Sequence, residues 1–429
     1  MNSLLSLLNN KTVLIAVFGA LVLIGILITF GVLPGRRSAT PVPATLEFWN
    51  LEDTDEVWRD IFERFRKQFP HLTVSYRRFD EASYEDFLVN RLAEGKGPDV
   101  FVLKNSWIAK HRDKIAPLPE TGEYSARDFK RDFADIAVED LINENNQILG
   151  LPLFVDTPAL FYNKDIFNTA GIAIPPNDWT DVIRKSQILT KVAPTGDIIR
   201  SGMALGGYRN IENAFETLNS LILQNGDSIL NKNGTPSLGQ QAAEAVSFYA
   251  SFADPTKQNY SWTSRMRNSL DSFAEGVTAM VIGMSRDIGR IGARNPHLNF
   301  SILPFPQPRD AETRMVYGAY FFPTVSKLSQ NQEAAWQFLR FITSREAADL
   351  YLRKTSRSPA RRDLISAGAP QEQLYVFYNQ ALIARTWRVP DEKLTRNLFQ
   401  DMIESVVAKS STPSQGVDRL REKLRLINF

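Results

Sequence analysis

Hydrophobic positions fall along this chain in three rhythms. The first is an unbroken run. Residues 13–33, VLIAVFGALVLIGILITFGVL, hold 21 positions without a charge. As a helix at ~1.5 Å per residue the run is about 31 Å long, enough to cross a hydrocarbon core of ~30 Å. A secretory signal core is shorter, roughly 7–15 residues, and the PGRRSATPVPAT that follows has no small-x-small cleavage pattern. The run therefore reads as an uncleaved transmembrane anchor behind a short N-terminal segment, 1–12. Its flanks, Lys11 before and Arg36 and Arg37 after, would by themselves favour the opposite orientation. Residues 34–45, rich in proline and small polar residues, read as a linker.

From residue 45 the rhythm shifts between period two and period 3.6. Leu46 and Phe48 alternate with polar neighbours, as in a strand. Val57, Trp58, Ile61, Phe62, Phe65 and Phe69 then form one helical stripe, stopped by Pro70. Leu72, Val74 and Tyr76 predict a second strand. Tyr84, Phe87, Leu88 and Leu92 predict a second helix, ended by the glycines of AEGKGPD. DVFVL at 99–103 is a continuous apolar run, as in a strand covered on both faces. Strand, helix, strand, helix, strand is the doubly wound α/β pattern. The second half reads in the same style. LFYNKDIF (160–167) follows a strand. PPNDW (175–179) opens a helix through Leu189, and 211–223 and 240–252 are helical. SFAEGVTAMVIGMSRD (272–287) gives a short helix, a glycine turn and a strand. Residues 333–352 read as one long amphipathic helix, and the chain is helical from Arg396 on. No periodic repeat is present.

Composition then removes whole classes of function. With 429 residues, 43% hydrophobic and 23% charged, the chain is globular and long enough for two domains. The net charge of +2 comes from mixed acids and bases, which excludes the clustered basic face of a nucleic-acid binder. Cysteine is absent, so thiol catalysis, thiolate metal sites, disulfides and lipoprotein acylation are absent too. His71, His111 and His297 lie far apart and in no ligand-spaced motif, and read as scattered surface or loop residues. AEGKGPD lacks the spacing of a phosphate loop, no GxGxxG follows the first strand, and neither GxSxG nor HExxH occurs. No catalytic residue, cofactor or metal is indicated, and the reading is of a binding protein rather than an enzyme.

The order of motifs resembles the family 1 extracellular solute-binding proteins of ABC importers, which include the maltodextrin binders. The residues that carry it are FWN at 48–50, LAEGKGPDV at 92–100 and ILGLPLFVDTPALFYNKDIFNTAGI at 148–172. They continue with the PPNDW helix start, FAEGVTAM at 273–280, AWQFLRFITS at 335–344 and SPARRD at 358–363. The resemblance implies a two-lobe periplasmic-binding-protein fold of type II-like topology with a multi-strand hinge. Residues 46–154 plus 303–342 would form the first lobe and 158–300 plus 345–429 the second. Crossings would fall near 154–157, 300–303 and 343. It also implies capture of a sugar or related polar solute between the lobes, delivery to the transmembrane subunits of an ABC permease, and a place at the outer face of the cytoplasmic membrane. The permanent anchor leaves a second reading, a ligand-sensing or partner-presenting ectodomain on the same fold.

A sugar needs planar charged or amide groups for its hydroxyls and aromatic faces for its C–H surface. In open α/β sheets ligands sit beyond the carboxyl ends of the strands. The candidates by position are Asn50, Glu52 and Asp53 after the first strand and Asn105 and Trp107 after DVFVL. Phe154 and Asp156 would stand at the hinge, Arg286 and Asp287 in the second lobe, and Tyr317 and Tyr320 in VYGAYFF. Trp387 is in TWRVPD, where family members often place a cleft-lining aromatic. Maltodextrin binders carry an aromatic after the FxxGxxAM strand, whereas this chain has MSRDIGR. Arginine suits carboxylate or phosphate as well as hydroxyls, so a sugar acid or sugar phosphate stands beside a neutral sugar. Arg265, Arg267 and Arg357 would add positive potential if they face the cleft.

Overall fold

A computed structural model describes residues 18–20, 22, 43–51, 53–119, 124–230, 235–387, 389 and 391–427. The chain divides into two units, Met1–Ala44 and Thr45–Phe429. In the first, Phe18, Gly19, Ala20 and Val22 are helical; the rest of the 13–33 run lies outside the described residues. Among the described residues no helix is long and apolar enough to cross a membrane.

The second unit opens as the alternation predicts. β1 (Ala44–Leu51), α1 (Asp55–Gln68), β2 (Leu72–Phe79), α2 (Glu81–Ala93) and β3 (Val100–Lys104) follow in order. Acids Asp55 and Glu56 in the first turn of α1, and Arg66 and Lys67 in its last, complement the helix dipole. The α1 stripe buries Trp58, Ile61 and Phe65. Next come β4 (Ala159–Asn163), α3 (Lys164–Thr169) and α4 (Trp179–Leu189). Asn163 caps α3 by accepting from the amides of Asp165 and Ile166, and Asp178 caps α4 by accepting from that of Asp181. LFYN is thus the strand itself rather than a segment after it. A short hairpin of β5 (Lys191–Val192) and β6 (Ile198–Arg200) leads to α5 (Ala214–Gln224), α6 (Gln240–Ser251) and α7 (Ser269–Ala274). The turn after α7 needs Gly276, at φ +74°. The chain continues through β7 (Met280–Gly283), α8 (Asp287–Arg294), β8 (Phe300–Leu303), β9 (Val316–Tyr317), β10 (Phe321–Val325), α9 (Gln332–Ile342) and α10 (Arg345–Thr355). It ends with β11 (Ala384–Arg385), α11 (Glu392–Val407) and α12 (Pro413–Arg425).

Two larger sheets organise these elements. The first has the order β10-β3-β1-β2. β1 and β3 are parallel, with Phe48 opposite Val100, and β10 adds an antiparallel edge, with Phe322 opposite Leu103. The chain leaves β1 towards β2 on one side and returns to β3 on the other, so the order reverses at β1. Such a switch point is where doubly wound sheets bind ligands. The second sheet, β7-β4-β8, is antiparallel throughout, with Leu160 opposite both Ile282 and Leu303. The doubly wound expectation therefore describes the first sheet and not the second. Continuous apolar runs report burial on both faces, not strand direction.

Between the sheets, residue 154 bridges to Pro359 and residue 156 to Ala319. The single helix expected over 333–352 is two. The first ends at Ile342, with Thr343 at its C-cap, and Ser344 caps the second, its hydroxyl accepting from the amide of Ala347. Apolar residues recur at helical spacing on both sides, but the buried face changes across the break, from Ala335, Leu339 and Ile342 to Ala347, Ala348 and Tyr351. After the break α10 turns back over α1: the Tyr351 ring packs tilted against Trp58 at 5.2 Å, and Lys354 pairs with Asp60 at 2.6 Å. His111 also departs from expectation. It is buried, with its Nε2 2.8 Å from Glu85 Oε1. Among the described residues no group of three or more His, Cys, Asp or Glu could hold a metal ion.

Candidate functional site

Polar side chains converge where β1, β3, the 154–156 crossing and β7 end. At the end of β1, Asn50 Nδ2 donates to Asp53 Oδ2 at 3.3 Å, and the Tyr351 hydroxyl donates to the same oxygen at 2.8 Å. Arg357 lies 3.6 Å from Asp53 Oδ1, with its guanidinium 4.1 Å above the Phe154 ring. A cavity of about 20 Å³ here is lined by Asn50, Leu51, Phe154, Tyr351 and Arg357 among others. That is room for about one water and not for a solute. Glu52 lies outside the described residues.

Asp156 sits on the crossing strand, its backbone exchanging two 3.0 Å hydrogen bonds with Ala319. Its carboxylate accepts from the amide of Ser285 at 3.2 Å. Burial pushes its carboxyl above the usual range, and Arg286 and Arg357 pull the other way without cancelling the shift. From the second sheet, the turn after β7 delivers Ser285, Arg286 and Asp287. Asp287 is wholly buried and used within the fold. It accepts from Met284 N at 2.8 Å and Asn213 Nδ2 at 3.0 Å, and pairs with Arg290 at 3.0 Å.

Arg286 is different. It is open to water, yet protein surrounds it on nearly every side, the setting of a side chain in a recess rather than on a convex face. Among the described residues its guanidinium makes no hydrogen bond and no ion pair within 4 Å. Burial disfavours its charge, but Asp156, Asp287, Glu216 and Glu81 outweigh that and raise its pKa. Glu81 belongs to α2 beside the first sheet and Glu216 to α5 in the other half, so Arg286 stands between the two halves.

At the end of β3 the groups are already paired. Glu392, the first residue of α11, takes Lys104 Nζ at 2.8 Å and Arg396 Nε at 2.7 Å on Oε1. Its Oε2 takes Ser106 Oγ at 2.7 Å and Trp107 Nε1 at 3.0 Å. Burial opposes its ionisation, but Lys104 and Arg396 outweigh burial and hold it well below the usual carboxylate range. Arg396 also pairs with Glu216, and its guanidinium lies 4.3 Å over the Phe215 ring. Asn105 Nδ2 donates to Asp140 and Thr386, both at 3.2 Å.

The predicted aromatics are interior. Tyr320 donates its hydroxyl to Asp140 at 2.8 Å. Tyr317 lies 5.8 Å from Trp387, whose Nε1 is buried without a partner among the described residues. Arg265 and Arg267 are exposed partners of Asp197 and Glu275 on the outer surface. The structure thus links Asn50, Asp53 and Phe154 through Tyr351 and Arg357, and joins Asp156 to the turn that carries Arg286. It ties Asn105, Trp107, Tyr317, Tyr320 and Trp387 to protein partners, and Asp287 into the scaffold. Sequence reasoning missed Lys104, Glu216, Tyr351, Glu392 and Arg396. Lys104 is the last residue of β3, directly before the Asn105 and Trp107 already singled out. Glu392 is an acid at a helix start, which carries no signal of its own.

The chain is similar to known proteins. A binding protein of Brucella abortus (strain 2308) is 24% identical over 343 residues, 79% of this chain and 80% of its own. The sn-glycerol-3-phosphate-binding periplasmic protein UgpB of Escherichia coli (strain K12) is 24% identical over 303 residues, 66% of this chain and 67% of its own. Among solved structures, the sugar-binding protein MalE of Xanthomonas citri superposes with a TM-score of 0.75 at 20% identity, covering 90% of this chain and 97% of that one. That likeness is one of fold, an α/β periplasmic binding protein of two lobes. Residues 49–349 match the family described as bacterial extracellular solute-binding protein, and the chain belongs to it.

Proposed function

We propose that the chain is the extracytoplasmic capture component of an ABC importer, closing its lobes on a sugar or related hydroxyl-rich solute and passing it to the permease transmembrane subunits. The observation that carries the reading is the guanidinium of Arg286, unpaired among the described residues, beside the buried carboxylate of Asp156 at the strand ends. A hydroxyl donates to a carboxylate and accepts from a guanidinium, so the two groups together suit a polyol. The lobes follow the ranges 46–154 plus 303–342 and 158–300 plus 345–429, hinged at the 154–157, 300–303 and 343 crossings, with 345–355 packed back on the first lobe. Binding is reversible, without turnover or cofactor. The 13–33 run anchors the protein at the outer face of the membrane. An alkaline carbonate wash of membranes should leave the full chain in the pellet; its release would remove the anchor from the proposal.

One observation favours a second ligand class. Among the described residues Arg286 makes no ion pair, and a relative binds sn-glycerol-3-phosphate. Against a phosphate stand the carboxylates Asp156, Glu216 and Glu81 around the guanidinium. Residues 43–429 should be screened by thermal shift against neutral mono- and disaccharides, sugar acids and sn-glycerol-3-phosphate. A neutral sugar should stabilise most, and Arg286→Ala should weaken its binding about tenfold, the worth of one charged hydrogen bond. Stabilisation by no polar solute, with the protein folded, would sink the importer reading.

A further inference from the structure

The end of α11 nearest the recess is stapled to the first sheet. Thr386 accepts from Asn105 at 3.2 Å, Asp391 pairs with Lys110 at 2.9 Å, and Glu392 takes Lys104, Ser106 and Trp107 together. All the donors lie at or just after the carboxyl end of β3. The acceptors lie on a segment whose helix packs elsewhere. Phe399 of α11 meets Phe215 of α5 at 5.1 Å, the Tyr208 hydroxyl donates to the carbonyl of Arg396 at 3.0 Å, and Arg209 pairs with Glu404 at 2.7 Å. The staple therefore crosses from one lobe to the other.

Glu392 is its centre. Its side chain is 6% exposed. A buried carboxylate is costly unless paired and hydrogen-bonded. Arg396, on its own helix, supplies one partner and stays with it in any arrangement of the lobes. Lys104, Ser106 and Trp107 are present only when the lobes meet. Separating them strips three donors from a desolvated charge and leaves the Lys104 ammonium with Glu81 alone, at 3.5 Å.

On these grounds we infer that Glu392 is the positioning residue for lobe closure. It is an interlobe clamp that holds the closed arrangement and so sets how fast captured solute escapes. The inference rests on the capture reading for its role but not for its test. The same donors would otherwise face the solute, since they stand at the switch-point end of β3. Glu392 takes them out of the ligand's reach. Solute contact then falls to Arg286, Asp156 and the groups at the end of β1.

The chain has no cysteine, so two introduced ones label uniquely. Full-length protein in detergent, carrying Lys67→Cys and Lys423→Cys spin labels, reports the interlobe distance by pulsed electron resonance. Without added solute it should give one narrow, short distribution. Glu392→Ala should move most of the population to longer, broader distances, and Glu392→Gln, which keeps an acceptor for Ser106 and Trp107, should fall between. Lys104→Met, made from the opposite lobe, should reproduce the shift, so the test stands even if one variant folds poorly. Once a bound sugar is identified, its dissociation from Glu392→Ala should be about tenfold faster, in line with the loss of charged hydrogen bonds. Unchanged distance distributions in both Glu392→Ala and Lys104→Met would overturn the clamp, whatever the protein binds. A clamp confirmed in a protein that binds no sugar would fault the capture reading instead.

Discussion

Trp58→Ala should be among the most destabilising single changes in the chain. The indole is 1% exposed and is held by four rings: Phe48 at 5.3 Å edge-on, Phe62 at 5.7 Å, Tyr76 at 6.0 Å and Tyr351 at 5.2 Å. Removing it leaves a cavity between α1, β1 and α10 that those rings cannot fill without leaving their rotamers. Truncations of this kind cost about 3–5 kcal/mol. For a cooperative unit of this size that is a fall in melting temperature of roughly 5 °C. The damage should also reach the recess. Tyr351 both leans on Trp58 and donates its hydroxyl to Asp53 at 2.8 Å, so loosening its ring loosens a carboxylate at the end of β1. Differential scanning calorimetry of Trp58→Ala beside Trp58→Phe separates the two effects. The phenylalanine variant should recover much of the stability by refilling the space. A drop of only a degree or two in Trp58→Ala would mean the cluster is not a core.

The same tryptophan shows what the linear pattern carries. Its helical stripe with Ile61 and Phe65 was legible because a helix packed on a sheet must bury one face, and that requirement has a period. The strands 46–50, 72–76 and 99–103 were legible for the matching reason at period two, or as a covered run. Periodicity does not say which sheet a helix covers. Nothing in REAADLYLRKT names α1 as the surface it returns to, although its buried face, Ala347, Ala348, Tyr351 and Leu352, is out of phase with that of α9. Strand direction was equally silent: ALFYN, MVIG and FSIL are apolar because both faces are covered, and an antiparallel strand is covered in the same way.

At the recess, position was legible and pairing was not. The rule that ligands sit beyond strand ends led to Asn50, Asp53, Asp156 and Arg286, which lie at or just after the ends of β1, the crossing strand and β7. It gave no warning that the groups after β3 would already be taken. The partner of Trp107 and Ser106 is Glu392, 285 and 286 residues away. Ion pairs at such separation leave no spacing in the sequence, since a carboxylate and an ammonium can meet from any two places that the fold brings together. The aromatics misled in the opposite direction. Tyr317 and Tyr320 flank the crossing strand, as expected of cleft residues. Their rings turn inward, and burial drives the Tyr320 hydroxyl far above its ordinary range, with Asp140 adding to the shift.

Arg396→Met tests the charged wall of the recess through its dependence on pH. Glu216 is buried, and burial alone would raise its pKa. Arg396 more than offsets that and leaves it lowered. A carboxyl lowered in the folded state adds stability above its unfolded pKa of ~4.3, and that stability is lost as pH falls through the folded value. Methionine fills similar space without charge. Glu216 is then a buried carboxylate with its main partner gone, and its folded pKa rises above the unfolded one. The sign reverses: the group now costs stability at neutral pH, and the cost fades as acid protonates it. Breaking a fully buried pair costs about 3–5 kcal/mol, and the partial exposure of Arg396, 31%, screens some of it. The expected deficit is therefore about 3 kcal/mol at pH 7, narrowing clearly by pH 4.5. Urea unfolding at the two pH values reads it directly. A deficit of equal size at both would assign the loss to the packing of the guanidinium over Phe215 rather than to its charge.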